Sequence, residues 1–171
     1  AQAAVLKLDE EQAENGREFQ FPFAGGLKHP LFGMLDLNED GFDDLIILDR
    51  MDNRILTYRN VGIKDSFGFV YRSQFELFLP DSIAKTIIIK DYNNDGKPDL
   101  FAFASSHGAG ILVYKNVSSL YQIRFELVAN PVKASCYDKP GETEIYLTSD
   151  DIPAIEDIDG DGDLDILAFS M

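Results

Sequence analysis

Three stretches of the chain carry the side chains best placed to do chemistry, and they share one spacing. They are Asp36, Asn38, Asp40, Phe42 and Asp44; Asp91, Asn93, Asp95, Lys97 and Asp99; and Asp157, Asp159, Asp161, Asp163 and Asp165. Each stretch is a nine-residue loop with an oxygen-bearing side chain at positions 1, 3, 5 and 9 and glycine (Gly41, Gly96, Gly162) at position 6. Hard oxygen donors crowded onto one short loop form a cage for a hard cation, and Ca²⁺ accepts about six to eight such donors in flexible geometry. Position 7 is expected to add its backbone carbonyl, which leaves the side chain there free to vary as Phe42, Lys97 or Asp163. Glycine permits the sharp bend that wraps the chain around the ion. Without a cation, two carboxylates ~4 Å apart repel by on the order of 4 kcal/mol at an effective dielectric of about 20. The expectation is therefore up to three structural Ca²⁺ that act as folding ligands and do no chemistry. The third loop has four aspartates at its donor positions, where the others have three and an asparagine, and is expected to bind at least as tightly.

An EF-hand shares positions 1, 3, 5 and 6 but requires an acidic bidentate ligand at position 12 and helical flanks. Position 12 here is Ile47, Ala102 or Ala168. The flanking text is rich in β-formers, which argues against the EF-hand and the related dockerin pattern. A metal-free Asx turn would account for one such loop. Three copies in register argue for the cage.

The elements that position these loops read as strands. An apolar run precedes each loop (Leu31 to Leu35, Lys85 to Lys90, Ile152 to Glu156), and another beginning Asp-Leu or Asp-Ile follows it (44–48, 99–103, 165–169). Each cage is thus expected to be a long hairpin connection. The likeness continues: Ile55-Leu56-Thr57-Tyr58-Arg59-Asn60-Val61 matches Ile111-Leu112-Val113-Tyr114-Lys115-Asn116-Val117 in type. Gln74-Phe75-Glu76-Leu77 is aligned with Arg124-Phe125-Glu126-Leu127 as a fourth strand, and Glu18-Phe19-Gln20-Phe21 resembles that strand again. The corner between the second and third strands is placed at Asp52-Asn53 and at Gly108-Ala109-Gly110.

A four-stranded unit recurring every 55 to 66 residues predicts an all-β fold of propeller blades. Two blades are complete and part of a third is present, as expected of an N-terminal piece of a larger propeller, completed by further blades or by another chain. Residues 1–18 read as a polar arm, with a weak helical pattern over Ala3 to Ala13, and residues 19–171 as the partial propeller. Between Ala129 and Ser149 the second unit has an extra stretch with Cys136, Asp138-Lys139-Pro140-Gly141 and a strand-like run, Glu144 to Leu147. It reads as an excursion at the blade edge, or as a recognition loop.

On these loops and flanks, the chain resembles the FG-GAP repeats, also called VCBS-type repeats, of integrin-α-like β-propellers. The likeness covers about residues 19–171 and rests on the Asp-x-[Asp/Asn]-x-Asp-Gly-x-x-Asp-[Leu/Ile] loops. Of the motifs that give the family its name, only echoes are present, Phe32-Gly33 and His107-Gly108-Ala109-Gly110. The resemblance implies a seven- or eight-bladed propeller with Ca²⁺ in its hairpins, in a secreted or cell-surface protein that serves adhesion or binds a protein or glycan partner. Some propellers of this type belong to secreted polysaccharide-degrading enzymes. An enzymatic propeller portion is therefore the alternative, and a secretion passenger or accessory subunit of a larger surface complex is a third reading.

Composition fits this picture. The chain has 171 residues, 45% of them hydrophobic, and a net charge of −15, which would repel nucleic acid. No run approaches the ~20 apolar residues of a membrane span. The single cysteine excludes an intrachain disulfide framework. No catalytic constellation is evident: His29 and His107 read as solvated loop residues, and Ser105-Ser106-His107 is adjacency without a triad. Tyr58 and Tyr114 read as packing residues, with glycan stacking the minority reading. Asn116-Val117-Ser118 is a glycosylation sequon by pattern, and Asp81-Ser82-Ile83 resembles an O-glycosylation acceptor.

Overall fold

The structure, a computed structural model, describes residues 26–62, 68–104, 109–119, 122–136 and 139–168. The arm, its helical pattern, Glu18 to Phe21, Ser105 to Gly108, Asp138 and Phe169 to Met171 lie outside them.

The chain folds as antiparallel sheets in sequence order. The first sheet comprises β1 (Pro30–Leu35), β2 (Asp44–Asp49), β3 (Arg54–Asn60) and β4 (Phe69–Tyr71), paired in that order. The second repeats the plan with β5 (Ile87–Lys90), β6 (Asp99–Phe103), β7 (Ile111–Asn116) and β8 (Phe125–Ala129). A small hairpin of β9 (Lys133–Cys136) and β10 (Lys139–Glu144) follows, and the third acidic loop joins β11 (Ala154–Glu156) to β12 (Asp165–Leu167). Four-stranded meanders of this kind are propeller-type blades.

Register places all three acidic loops alike. The residue before position 1 pairs with position 9 each time: Leu35 with Asp44, Lys90 with Asp99, Glu156 with Asp165. The first strands start later than their apolar runs. Lys85 takes a left-handed φ of 63°, so regular pairing begins at Ile87, and Pro153, which has no N–H to give a ladder, precedes β11.

Side chains of the second sheet explain why its strands read as unbroken apolar runs. Successive residues of a strand face opposite ways. Leu100 and Ala102 of β6, with Leu112 and Tyr114 of β7, enter a core shared with Leu35, Leu37, Ile46 and Leu48 of the first blade. Phe101 and Phe103, with Ile111 and Val113, face the other way into a second core with Leu147 and Ile155. The middle blade is covered on both faces, and each fully buried Leu or Ile there contributes about 1.5–3 kcal/mol.

Two expectations are corrected. Gln74 to Leu77 is not the fourth strand of the first blade: it lies in a 3₁₀ helix, Ser73–Phe78. The strand is β4, where Phe69 pairs with Asn60 just as Phe125 pairs with Asn116. Phe-Glu-Leu occurs in both units, but only in the second does its phenylalanine lie opposite the pairing asparagine. Phe75 instead packs against the first core and stacks on Phe78 with ring centroids 5.8 Å apart. The extra stretch of the second unit is accordingly shorter than the text implies. Its strand-like run, Glu144 to Leu147, is also displaced: the strand is β10, which ends at Glu144, while Leu147 is buried in the second core. Within that run Ile145 and Leu147 pack into the second core while Tyr146 is exposed.

Candidate metal centre

Each loop is organised by its own carboxylates, which collect backbone amides. Asp36 accepts the N–H groups of Asn38 (3.2 Å), Asp40 (3.2 Å) and Gly41 (2.8 Å). Asp91 accepts those of Asn93, Asp95 and Gly96 at 3.3, 3.2 and 2.7 Å. Asp157 holds Gly160 (2.7 Å) and Gly162 (3.1 Å). Position 3 accepts the amide of position 5 in all three loops, and position 5 accepts that of position 7. The side chains at positions 1, 3 and 5 thus each hold the backbone of their own loop by accepting its amides. Position 4 also carries a constraint that sequence reasoning missed: Glu39, Asn94 and Gly160 all have left-handed φ (58°, 56°, 79°), as do the glycines at position 6. Two left-handed residues so close together tighten the loop, and only the glycine signal was conspicuous.

Position 9 has a second duty. Asp44 and Asp99 have no exposed surface. Asp44 accepts the amides of Leu37 (2.9 Å) and Asn60 (2.8 Å), and Asp99 those of Tyr92 (3.0 Å) and Asn116 (2.6 Å). Each carboxylate therefore bolts position 2 of its loop to the third strand of its blade. Burial pushes both carboxyls above the usual carboxylate range, against the pull of those amides, and the neighbouring loop aspartates add to the rise. Asp165 repeats the first half of the arrangement, accepting the Ile158 amide at 2.9 Å.

The repeated seven-residue match holds further residues that were read only as strand. Asn60 and Asn116 lock the corner behind the loop, with amide groups donating to the Asp43 and Pro98 carbonyls at 3.1 and 3.0 Å. Arg59 and Lys115, one residue earlier, reach Oδ2 of Asp40 and Asp95 at 3.0 and 3.1 Å. Asp40 is drawn up by burial, yet the hydrogen bonds from Arg59, the Phe42 amide and Asn38 outweigh this and hold it below the usual range. Asp95 is held low chiefly by Lys115. In the third loop the equivalent Asp161 shares a hydrogen bond with Asp163, which raises the Asp163 carboxyl.

Residues 36–102 match the FG-GAP-like repeat. The chain carries an FG-GAP-like repeat. No curated protein and no solved structure matches it. The matched segment runs from the first loop through the second and into β6, and the third loop, outside the match, shares the bonds from position 6 to 1, 5 to 3, 7 to 5 and 2 to 9.

The FG-GAP-like pattern implies Ca²⁺ in such loops, and the donor chemistry fits that ion. Asp157, Asp159 and Asp165 each place a carboxylate oxygen within 4.8 Å of one another. An all-oxygen, anionic donor set selects a hard cation over zinc or copper. Asp161 lies outside this group and accepts the Asp163 amide at 3.0 Å. In the first two loops the expected donors are Asp36, Asn38, Asp40 and Asp44, and Asp91, Asn93, Asp95 and Asp99, but among the described residues their carboxylates do not converge as those of the third loop do. Neighbouring loops also touch, since Asn94 Nδ2 donates to the Gly162 carbonyl at 2.8 Å.

The remaining sequence candidates resolve into structure. Tyr114 is buried and its hydroxyl bonds that of Ser82, while Tyr58 meets Tyr71 edge-to-face at 5.5 Å. Both tyrosines are packing residues. Asn116 is buried with its amide engaged, so the sequon is closed to a glycan in the folded chain. His107 and Ser105-Ser106 lie outside the described residues. No described helix is long and apolar enough to cross a membrane.

Proposed function

We propose that this chain is a calcium-stabilised binding module of an extracellular or cell-surface protein, presenting a rigid blade array to a protein or glycan partner. The observation that carries the metal reading is the convergence of Asp157, Asp159 and Asp165 on one point, in a loop whose hydrogen bonds recur twice more. The ion would be held by positions 1, 3, 5 and 9 and the position 7 carbonyl. Its contribution is charge neutralisation, which lets several carboxylates share one bend. An extracellular setting supplies calcium at the millimolar level that extracellular modules use.

The binding reading is supported by an open groove of about 480 Å³ along the first strands of the three units. Its wall includes Phe32, Met34, Ile88 and Ile152, and Phe32 is 62% exposed. A contiguous apolar groove, unlike single exposed apolar side chains, is the kind of surface a partner covers.

The test of the metal reading is thermal unfolding with saturating Ca²⁺ and with excess chelator. A binding constant well below the calcium concentration stabilises by about 2.7 kcal/mol per site at a hundredfold excess, so chelation should lower Tm by several degrees. Asp159→Ala should reproduce part of that loss. An identical Tm in both conditions would dismiss calcium as a structural ligand.

A further inference from the structure

We propose that the second and third loops are coupled binding sites with Asn94 as the link, so that a divalent cation in either one raises the affinity of the other. This rests on the calcium reading and deepens it. The link is a contact between neighbouring units. Asn94, at position 4 of the second loop, donates from Nδ2 to the Gly162 carbonyl, at position 6 of the third, at 2.8 Å. Gly162 is the residue on which the third loop bends. Its φ is 96°, and its own N–H goes to Asp157 at 3.1 Å. The peptide unit whose carbonyl Asn94 holds gives its N–H to Asp161 at 3.0 Å. The bend is thus gripped by position 1, by position 5 and by a side chain of the loop beside it. Asn94 is fixed from its own side in the same manner. The peptide unit that follows it gives its N–H to Asp91 (3.2 Å) and Asn93 (3.0 Å), and its own φ of 56° is left-handed.

The bond therefore holds only while both loops keep their bends. Closure of the second loop sets Asn94, closure of the third presents the Gly162 carbonyl, and the contact is gained once, with whichever site fills last. Linkage makes such a gain reciprocal. The net worth of one hydrogen bond corresponds to about a two- to tenfold change in affinity. The same two loops are also neighbours at their base, where Lys90 pairs with Glu156. Those residues immediately precede position 1 of each loop and lie opposite the position 9 aspartates. The first loop has neither device. Its position 4 is Glu39, whose carboxylate has no N–H to donate, and the residue before its position 1 is Leu35, buried in the first core. The first site therefore fills independently of the second, and the second and third are linked.

The experiment is calorimetric Ca²⁺ titration of the whole chain, with sites assigned by disabling one loop at a time. Asp91→Ala should weaken the third site by about two- to tenfold, and Asp159→Ala should weaken the second by the same factor. Asp36→Ala should empty the first site and leave the other two as in wild type. Asn94→Gly keeps the left-handed backbone and loses the donor. In that background neither Asp91→Ala nor Asp159→Ala should move the remaining site. Asn94→Gly alone, with every aspartate in place, should turn a cooperative pair of sites into two independent ones. Mutual weakening that persists in the Asn94→Gly background, or second and third sites that fill independently in wild type, would overturn the coupling while leaving calcium binding intact. No calcium uptake by wild type would overturn the metal reading itself, and the coupling with it.

Discussion

The position 9 aspartate shows how one residue can serve the loop and the sheet together. In the first two blades it is buried, and both of its oxygens take backbone amides from different elements. A carboxylate has about four lone-pair sites, so this bonding leaves capacity for an ion. Its loss should therefore exceed the loss of a ligand. Asp99→Ala strands the Tyr92 and Asn116 amides, and at about 1–3 kcal/mol for each buried unsatisfied group the chain should lose about 2–6 kcal/mol. The deficit should persist in excess chelator, as urea denaturation with and without calcium would show. A deficit that vanishes in chelator would make Asp99 a ligand and nothing more. Asp99→Asn, which keeps one acceptor oxygen, should fall between.

At the scale of elements, close approach of backbones decides where side chains are forbidden. A Cβ on Gly110, at the start of β7, would sit 2.7 Å from the Pro131 ring and 3.2 Å from the Ile145 carbonyl oxygen. A proline ring and a carbonyl have little room to swing. A Cβ on Gly33 of β1 would meet Ile89 at 2.5 Å, but the atom it meets is the tip of a flexible side chain. Gly110→Ala should thus cost about 1–3 kcal/mol by overpacking, and Gly33→Ala less. Ile89→Val should rescue Gly33→Ala in melting experiments, and no single trimming of Pro131 should rescue Gly110→Ala fully, because the Ile145 carbonyl remains. The same contacts explain why the excursion after β8 is anchored: Pro131 lies against Gly110, and Val132, Ile145 and Leu147 pack into the second core.

For the whole molecule, the three units are tied at one point as well as by their cores. Arg50, in the turn after β2, donates to the Lys85 carbonyl (2.6 Å) and to the Ser149 carbonyl (2.8 Å), while Lys85 Nζ returns a bond to the Arg50 carbonyl (2.9 Å). One side chain thus links the first blade to the segments that lead into β5 and β11. Lys90 and Glu156 add an ion pair between the second and third units. Hydrogen bonds to a charged group contribute about 1.5–3 kcal/mol each, so Arg50→Ala should cost roughly 3 kcal/mol. It should also broaden the unfolding transition, as the units lose their shared contact. A sharp, unshifted calorimetric peak for Arg50→Ala would mean that the cores alone carry the coupling.

The loops were legible in the sequence because their pattern is local. Their donors lie within nine residues, and their spacing survives whatever the rest of the chain does. The strand order followed from repetition of the same text, and the all-β class from short apolar runs broken by turn residues. What the sequence could not decide depends on residues far apart. Phe69, not Phe75, pairs with Asn60, since ladder register is fixed by partner strands and not by likeness of words. The second duty of Asp44 and Asp99 exists only once the third strand delivers its amide. The basic side chains of Arg59 and Lys115 meet Asp40 and Asp95 across 19 or 20 positions of chain. Local chemistry is written in spacing; which distant charge or amide completes it is settled when burial of both faces of the middle blade brings the strands into register.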